Sequence, residues 1–332
     1  MAHLCIGPFK KEINEAFKIY LNKEENNDIH LKNEINNDMI YCYKKWLISP
    51  AEYFLYDFRN NRSDKYRASF LSDRYRTRVL LKNGGRKYFY ELSDKYYFYN
   101  KTKKYFKRNC LLVSSLSDYD AFKSMAENID FVFVKPVSST FGNGCRVFDV
   151  SNLTKIEKTF QTIINKRESF LVEEKIIQSK EMNQWNESSC NTVRLPCIYN
   201  GKDFNILQPV LRTGRRGDIV DNAAHGGLIA LIDEKTGMLI TDAVDKYGNK
   251  YICHPDSGMM FKGMFIPQWK ELIDLAENLF KECLSNHKYV GFDFAYTDNG
   301  WVLIEGNWGQ FIGQYVNGIG VKERFLELMN KK

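Results

Sequence analysis

Asp293, Glu305 and Asn307 lie in the stretch Y-V-G-F-D-F-A-Y-T-D-N-G-W-V-L-I-E-G-N, residues 289–307. Two apolar runs rich in aromatic and β-branched residues flank Asp298-Asn299-Gly300, the pattern of a β-hairpin with a short turn. A three-residue turn sets Asp293 opposite Glu305, and the period of two along a strand brings Asn307 to the same face. Two carboxylates facing each other in a half-buried hairpin repel unless something neutralises them. A divalent cation is the simplest such partner. Two carboxylates and an amide oxygen suit magnesium, which keeps positions for phosphate oxygens and water. The alternative is a solvated hairpin whose acids sit in water.

Lys135 ends the apolar run F-V-F-V and precedes S-S-T-F-G-N-G-C. A buried strand rarely carries lysine without a partner, so an anion at its ammonium is a natural explanation. Gly142 and Gly144 let the loop backbone approach that anion and present N–H groups to phosphate. The loop is not a Walker P-loop, because no G-K-[ST] follows, and it lacks the G-x-G-x-x-G spacing of a dinucleotide site.

These residues need strands and helices to hold them. From about Phe9 to Phe58 apolar residues recur every three or four positions, which predicts helices, with Ser49-Pro50 opening one at Ala51. Between Arg59 and Arg108 basic residues and aromatic rings are dense; Gly84-Gly85 is expected to close one helix and Ser93 to cap the next. This segment reads either as a track for single-stranded nucleic acid or as helices with lysine outside and tyrosine packed inside. No recognisable nucleic-acid module accompanies it. After Arg108 strands and helices alternate: C-L-L-V-S-S, a helix from Asp118 to Asn128 capped by Ser117, F-V-F-V-K-P-V, the antiparallel return C-R-V-F-D-V, a helix from Leu153 to Lys166, and F-L-V-E-E-K-I. Further strands, a helix from Pro267 to Leu284, the 289–307 hairpin and a closing helix from Val321 to Asn330 complete the chain.

At 332 residues the chain exceeds one ordinary core, and its 44% hydrophobic content suffices for two or three subdomains. No apolar run approaches the length of a membrane span, and the N-terminus lacks a signal peptide's apolar stretch, so a cytoplasmic location is expected. Eight cysteines without a C-x-x-C pair are expected to be reduced thiols filling core space. The net charge of +7 favours anionic partners.

The order of a lysine strand, a glycine loop, an antiparallel return strand, a helix, L-V-E-E-K-I and a D…E-x-N hairpin resembles the ATP-grasp superfamily, and within it the sugar-transfer-associated ATP-grasp proteins. The resemblance covers roughly Ser93 to Gly320. It implies an α+β ATP-grasp fold, two subdomains gripping ATP, with an α-rich section 1–92, a first subdomain 93–177 and a C-terminal subdomain 178–332. Residue by residue it implies that Lys95 and Lys135 meet the α- and β-phosphates and that the loop carrying Ser139, Thr140, Gly142 and Gly144 closes over them. Glu174 and the backbone of Lys175 to Ile177 would meet adenine, Glu181 the ribose, and Asp293, Glu305 and Asn307 magnesium. Two stretches look like acceptor and γ-phosphate contacts. N-T-V-R-L carries Asn191 and Arg194. L-R-T-G-R-R-G-D-I-V-D-N-A-A-H-G-G carries Arg212, Asn222 and His225 and is similar to a run in glutamate-adding ATP-grasp ligases. That run has arginine where Val220-Asp221 stand here; Arg212, Arg215 or Arg216 could supply the charge. His225 could instead cap a loop, and Trp185, Trp269 and Trp308 read as packing.

The function implied is an ATP- and magnesium-dependent ligase that joins a carboxylate to an amine through an acyl phosphate, with an amino acid and a sugar or sugar nucleotide as candidate reactants. A small-molecule or carbohydrate kinase is the alternative, and a nucleic-acid-binding protein a third reading.

Overall fold

The computed structural model describes residues 6–137, 144–218, 226–309 and 313–330. The front section is helical as expected: α1 (Ile6–Tyr20), α2 (Lys23–Asn27), α3 (Ile29–Trp46), α4 (Pro50–Leu55), α5 (Asp64–Ser69), α6 (Asp73–Ser93) and α7 (Lys95–Phe106). Ser49 opens α4 with a reciprocal cap. Its hydroxyl accepts from the Glu52 amide at 3.3 Å while the Glu52 carboxylate accepts from the Ser49 amide at 2.7 Å. Gly85 breaks α6 with φ 68° and ψ −177°. Ser93, however, does not cap the next helix: its hydroxyl donates back to Phe89 O at 2.7 Å. Asp94 takes that place, accepting from the amides of Tyr96 and Tyr97 at 3.0 and 2.9 Å. A carboxylate there satisfies two orphan donors and meets the positive end of the helix dipole.

In the basic, aromatic segment several arginines and rings turn inward, while Arg78, Lys82, Arg86, Lys87, Lys103 and Lys107 stay exposed. Arg67 forks onto Asp38 at 2.8 and 2.6 Å and donates to Phe58 O at 2.7 Å. Arg74 holds Glu12 at 2.6 and 2.8 Å. Phe98, Tyr99, Tyr105 and Phe106 are buried, and Phe89, Tyr90 and Tyr97 stay exposed. These contacts favour the packing reading of the segment over a nucleic-acid track.

Strands β1 (Cys110–Val113), β2 (Phe131–Pro136), β3 (Arg146–Asp149) and β4 (Phe170–Glu174) form a four-stranded sheet in the order β1-β4-β2-β3, every pair antiparallel. Helices α8 (Tyr119–Ala126) and α9 (Leu153–Ile164) bury Phe122, Ala126, Ile156, Phe160 and Ile163 against Val113, Val132, Val134 and Val172. Ser117 does not cap α8, which starts without a side-chain cap; the Asp118 carboxylate accepts from the amides of Ser114 and Ser115, each at 2.8 Å, and so holds the 3-10 turn Leu116–Asp118 before it.

A short α10 (Lys180–Asn183) leads to the larger sheet of β5 (Thr192–Tyr199), β6 (Phe204–Ile206), β7 (Val210–Thr213), β8 (Leu228–Leu231), β9 (Ala243–Val244), β10 (Lys250–Tyr251), β11 (Tyr289–Thr297) and β12 (Gly300–Asn307). Its order is β10-β9-β8-β7-β5-β11-β12, with β6 paired to β5. Helix α11 (Trp269–Cys283) lays Leu272, Ala276, Leu279 and Phe280 into the core with Phe292, Phe294 and Leu303. The spacing of those four is one apolar face of a helix, and in β11 and β12 the alternate residues face that core.

Helices α12 (Gly313–Asn317) and α13 (Lys322–Asn330) fasten the front section to the larger sheet. The fully buried amide of Gln314 accepts from Leu71 N at 2.8 Å and Val321 N at 3.2 Å, and donates to Leu71 O at 2.9 Å. Among the described residues no helix is long and apolar enough to cross a membrane. The described cysteines are free thiols; Cys42 and Cys197 are buried as expected of core fillers, whereas Cys253 is exposed.

Candidate active site

The hairpin does set Asp293 opposite Glu305, by a route other than a three-residue turn. Thr297 pairs with Gly300, a register that by itself would put Ile304 opposite Asp293. A register shift between Asp293 and Phe294 passes over Ile304 and restores the pairing of Asp293 with Glu305 and of Gly291 with Asn307.

On its other side Asp293 is paired with Arg194 of β5. Arg194 Nε and Nη2 donate to Asp293 Oδ1 and Oδ2 at 2.7 and 2.6 Å, and Arg212 of β7 adds Nη1 to Oδ2 at 3.1 Å. The repulsion between the two acids is thus relieved in part by guanidinium groups of the protein itself. Burial alone would raise Asp293; Arg194 and then Arg212 overcome it and hold the carboxyl below the usual range. Glu305 goes the other way. Loss of water around its carboxyl, then the charge of Asp293, push it up against the opposing pull of Lys135 and Arg194. The Glu305 side chain still keeps 38% of its surface open, so charged neighbours crowd this carboxyl without enclosing it. Arg194 Nη2 lies 3.9 Å from it, and Asn307 Nδ2 donates to its Oε1 at 3.4 Å while Asn307 Oδ1 accepts from the Gly309 amide.

Two lysines come near Glu305, Lys135 from the smaller sheet and Lys95 from α7, which packs on the core of the larger one. Lys95, in the first turn of α7, donates to Pro136 O at 3.2 Å and Val137 O at 3.1 Å, directly beyond Lys135 at the end of β2. Burial lowers the Lys95 ammonium, Lys135 lowers it further, and Glu305 opposes both. The Lys135 ammonium is buried and ion-paired with Glu173 of β4. Gly144, at φ 78°, closes the return of the glycine loop onto Pro136, where an added Cβ would come within 2.9 Å of the proline ring. Ser139, Thr140 and Gly142 lie outside the described residues, as do Asn222 and His225.

At the junction after β4, Asn109 Nδ2 donates to Glu174 Oε1 at 2.6 Å, and the Lys175 ammonium stands 5.2 Å over the Phe131 ring. Ile177 is 79% exposed, an apolar side chain held open at the junction of the two sheets. Glu181 is exposed in α10 and adds to burial, the larger cause, in raising the Tyr296 hydroxyl.

Several candidates prove to be engaged elsewhere. Asn191 is buried and its Nδ2 donates to Met182 O at 2.6 Å and Asn186 O at 2.7 Å, which fixes the backbone before β5. Arg215 forks onto Asp256 at 2.7 and 2.9 Å. Arg216 is exposed, and its amide donates to the same carboxylate at 2.8 Å. Of the three arginines left open by the sequence, Arg212 is the one that touches Asp293. His254, fully buried, has Nε2 2.9 Å from Gly214 O and accepts from the Asp256 amide on Nδ1 at 3.3 Å, a clamp on the end of β7. Trp185 and Trp269 are buried as packing residues, donating to Met260 O and Glu234 O at 3.0 and 3.1 Å.

Glu173 and Arg108 were passed over in the sequence. Glu173 stands beside the chosen Glu174 in a strand where alternation puts one acid inward, which was the available signal. Taken together, Lys95, Lys135, Arg108, Arg194 and Arg212 meet Glu173, Asp293 and Glu305, five cations against three carboxylates. An excess of positive charge beside a partly open acid and amide suits a polyanion; of the hairpin's oxygen donors, Asp293 is held by guanidinium groups and Asn307 Oδ1 by the Gly309 amide, while Glu305 is the more open acid.

Residues 94–330 match the family described as sugar-transfer associated ATP-grasp. No curated protein matches the chain in sequence. Among solved structures it is similar to D-alanyl-alanine synthetase A from Vibrio cholerae O1 biovar eltor, with 14% identity, TM-score 0.43, and coverage of 72% of this chain and 64% of that one. It is also similar to the D-alanine-D-alanine ligase from Coxiella burnetii, with 11% identity, TM-score 0.39, and coverage of 65% and 48%. A third likeness is the ATP-grasp ligase PsnB complexed with minimal precursor, Mg and ADP, with 11% identity, TM-score 0.43, and coverage of 75% and 62%. The chain thus spans less than two thirds of the length of each of these structures.

Proposed function

The chain belongs to the sugar-transfer associated ATP-grasp family, and from that premise we propose that it is an ATP- and magnesium-dependent ligase joining a carboxylate to an amine. The observation that supports this most is the approach of Lys95 on α7 and Lys135 on the smaller sheet to Glu305 of the larger one, beside Arg194 and Arg212. In this reading residues 93–177 and 178–332 are the two halves of the grip. Lys95 and Lys135 neutralise the α- and β-phosphates, and Glu174, Lys175, Ile177 and Glu181 hold the nucleoside.

Glu305, Asn307 and Asp293 would hold magnesium, which supplies charge neutralisation between phosphate oxygens. Arg194 and Arg212 would meet charge building on the phosphoryl group as a carboxylate attacks it. The carboxylate oxygen forms a bond to the γ-phosphorus as the bond to ADP breaks; the amine then attacks the acyl carbon and expels inorganic phosphate, which carries away the proton the nitrogen loses. Such chemistry asks for positioned charge and exclusion of water rather than a protein nucleophile. The loop 138–143 and the segment with Asn222 and His225 belong to the same proposal as phosphate cover and acceptor contact. Amino acids, sugars and sugar nucleotides are the acceptor classes we propose, in the cytoplasm, where free cysteines stay reduced.

The test is release of ADP and phosphate from the purified chain with ATP, Mg²⁺ and pools of carboxylates and amines. A ligase needs both reactants for turnover. A stable phosphate ester formed with one hydroxyl acceptor alone would replace the ligase by a kinase, and no nucleotide-dependent turnover with any pool would sink both.

A further inference from the structure

We propose that Arg108 is a positioning residue of the nucleotide site: it neutralises and orients Glu173 so that Lys135 is set for a phosphate, and it ties this arrangement to the strand that carries Glu305. The inference rests on the nucleotide reading of the site given above.

Arg108 lies between α7 and β1, where the chain enters the smaller sheet. Its Nε donates to Glu173 Oε2 at 3.0 Å and its Nη2 reaches the same oxygen. That leaves Glu173 Oε1 for the Lys135 ammonium. The third arm crosses between sheets: Nη1 donates to Leu303 O at 2.6 Å, in β12 two residues before Glu305, and to Phe106 O at 3.2 Å. Arg108, Glu173 and Lys135 retain only 6%, 3% and 7% of side-chain exposure.

A Glu173–Lys135 pair alone would be neutral and would hold the lysine by itself. Adding Arg108 gives a buried triad with one surplus positive charge, and buried ionic groups of this kind are weak sources of stability. The surplus has a use if an anion docks at Lys135. With Glu173 already balanced by Arg108, Lys135 can turn its charge toward a phosphate without leaving a bare carboxylate behind. The contact with Leu303 O gives the same guanidinium a hold on the hairpin strand, so the lysine and Glu305 share one support.

The experiment is ADP binding to the full chain with Mg²⁺, by isothermal titration, for wild type, R108Q, R108K, K135A and the double variants, with melting temperatures recorded alongside. R108Q is expected to weaken ADP about ten-fold, and R108K, which keeps charge and loses the fork, by about three-fold. In the K135A background neither Arg108 change should weaken ADP further, because Arg108 acts through that lysine. A purely structural arginine would give effects that multiply with K135A. Unchanged ADP affinity in R108Q, or a multiplied effect in R108Q/K135A, would overturn the proposal. If R108Q does not fold, the R108K and R108K/K135A pair decides by the same criterion. Wild-type protein that binds no ADP would overturn the nucleotide reading and this inference with it, whereas ADP binding indifferent to Arg108 would overturn the inference alone.

Discussion

Asp293 in the larger sheet and Glu173 in the smaller one are both buried carboxylates held between two cations, yet their partners come from different directions. Arg194 reaches Asp293 from the neighbouring strand β5 and Arg212 from β7, one strand further, so that cluster closes within a single sheet. Glu173 is met by Lys135 from β2 and by Arg108, which also grips β12 across the gap between sheets. The first cluster is fixed by strand register. The second depends on how the two sheets stand to each other, the relation that a molecule gripping a ligand between them would alter. Glu305 sits beside the first cluster and within the field of the second.

The largest expected effect separates Glu305 from the acid it faces. Glu305→Gln should lower magnesium-dependent turnover roughly 100-fold or more, as removal of a group that stabilises reacting charge does; a fully active variant would strip the hairpin of its metal role. Asp293→Ala acts instead on the fold. It removes the carboxylate that Arg194 and Arg212 share in the larger sheet and should cost about 3–5 kcal/mol of stability, read by chemical denaturation. A loss no larger than a surface substitution's would mean that the Arg194 and Arg212 contacts carry little energy.

Lys135→Ala sharpens the comparison from the other sheet. It should weaken ADP about ten-fold while leaving Asp293 and its arginines undisturbed; equal ADP affinity would make the lysine a structural partner of Glu173 only. The smallest effect is on pH dependence. Asp293, held low, contributes stability that is present above the ordinary carboxylate pKa near 4 and lost as pH falls through its lower folded value. Glu305, held high, has the opposite sign: its contribution is present below that ordinary value and lost as pH rises toward its folded value. Glu305→Gln should therefore melt slightly higher than wild type at neutral pH, with the gain vanishing below about pH 4. A variant that melts lower at neutral pH would contradict the upward shift.

Much of this could be read from the residues, because short-range patterns report short-range structure. The facing of Asp293 and Glu305 followed from their spacing about a turn, although a two-residue turn and a register shift, rather than a three-residue turn, produce it. The pairing of Asp293 with Arg194 was beyond reach: the residues are 99 positions apart, and only the sheet order β5-β11-β12 makes them neighbours. Arg108 was hidden for a similar reason, since its partners Glu173 and Leu303 lie 65 and 195 positions away. Capping near Ser93 failed on a finer scale, where an adjacent aspartate competes for the same two amides and wins by its charge.

Gln314 bears on how the chain can be divided. Sequence similarity to the family begins at residue 94, yet this amide closes its hydrogen bonds on Leu71, well before that boundary, and on Val321. A chain cut at residue 94 would keep every residue that the family shares and still lose the backbone that satisfies a fully buried side chain. The unit that sequence comparison delimits is therefore smaller than the packed body it belongs to, and Leu71 and Leu80 before it share a buried core with Tyr289 of the hairpin.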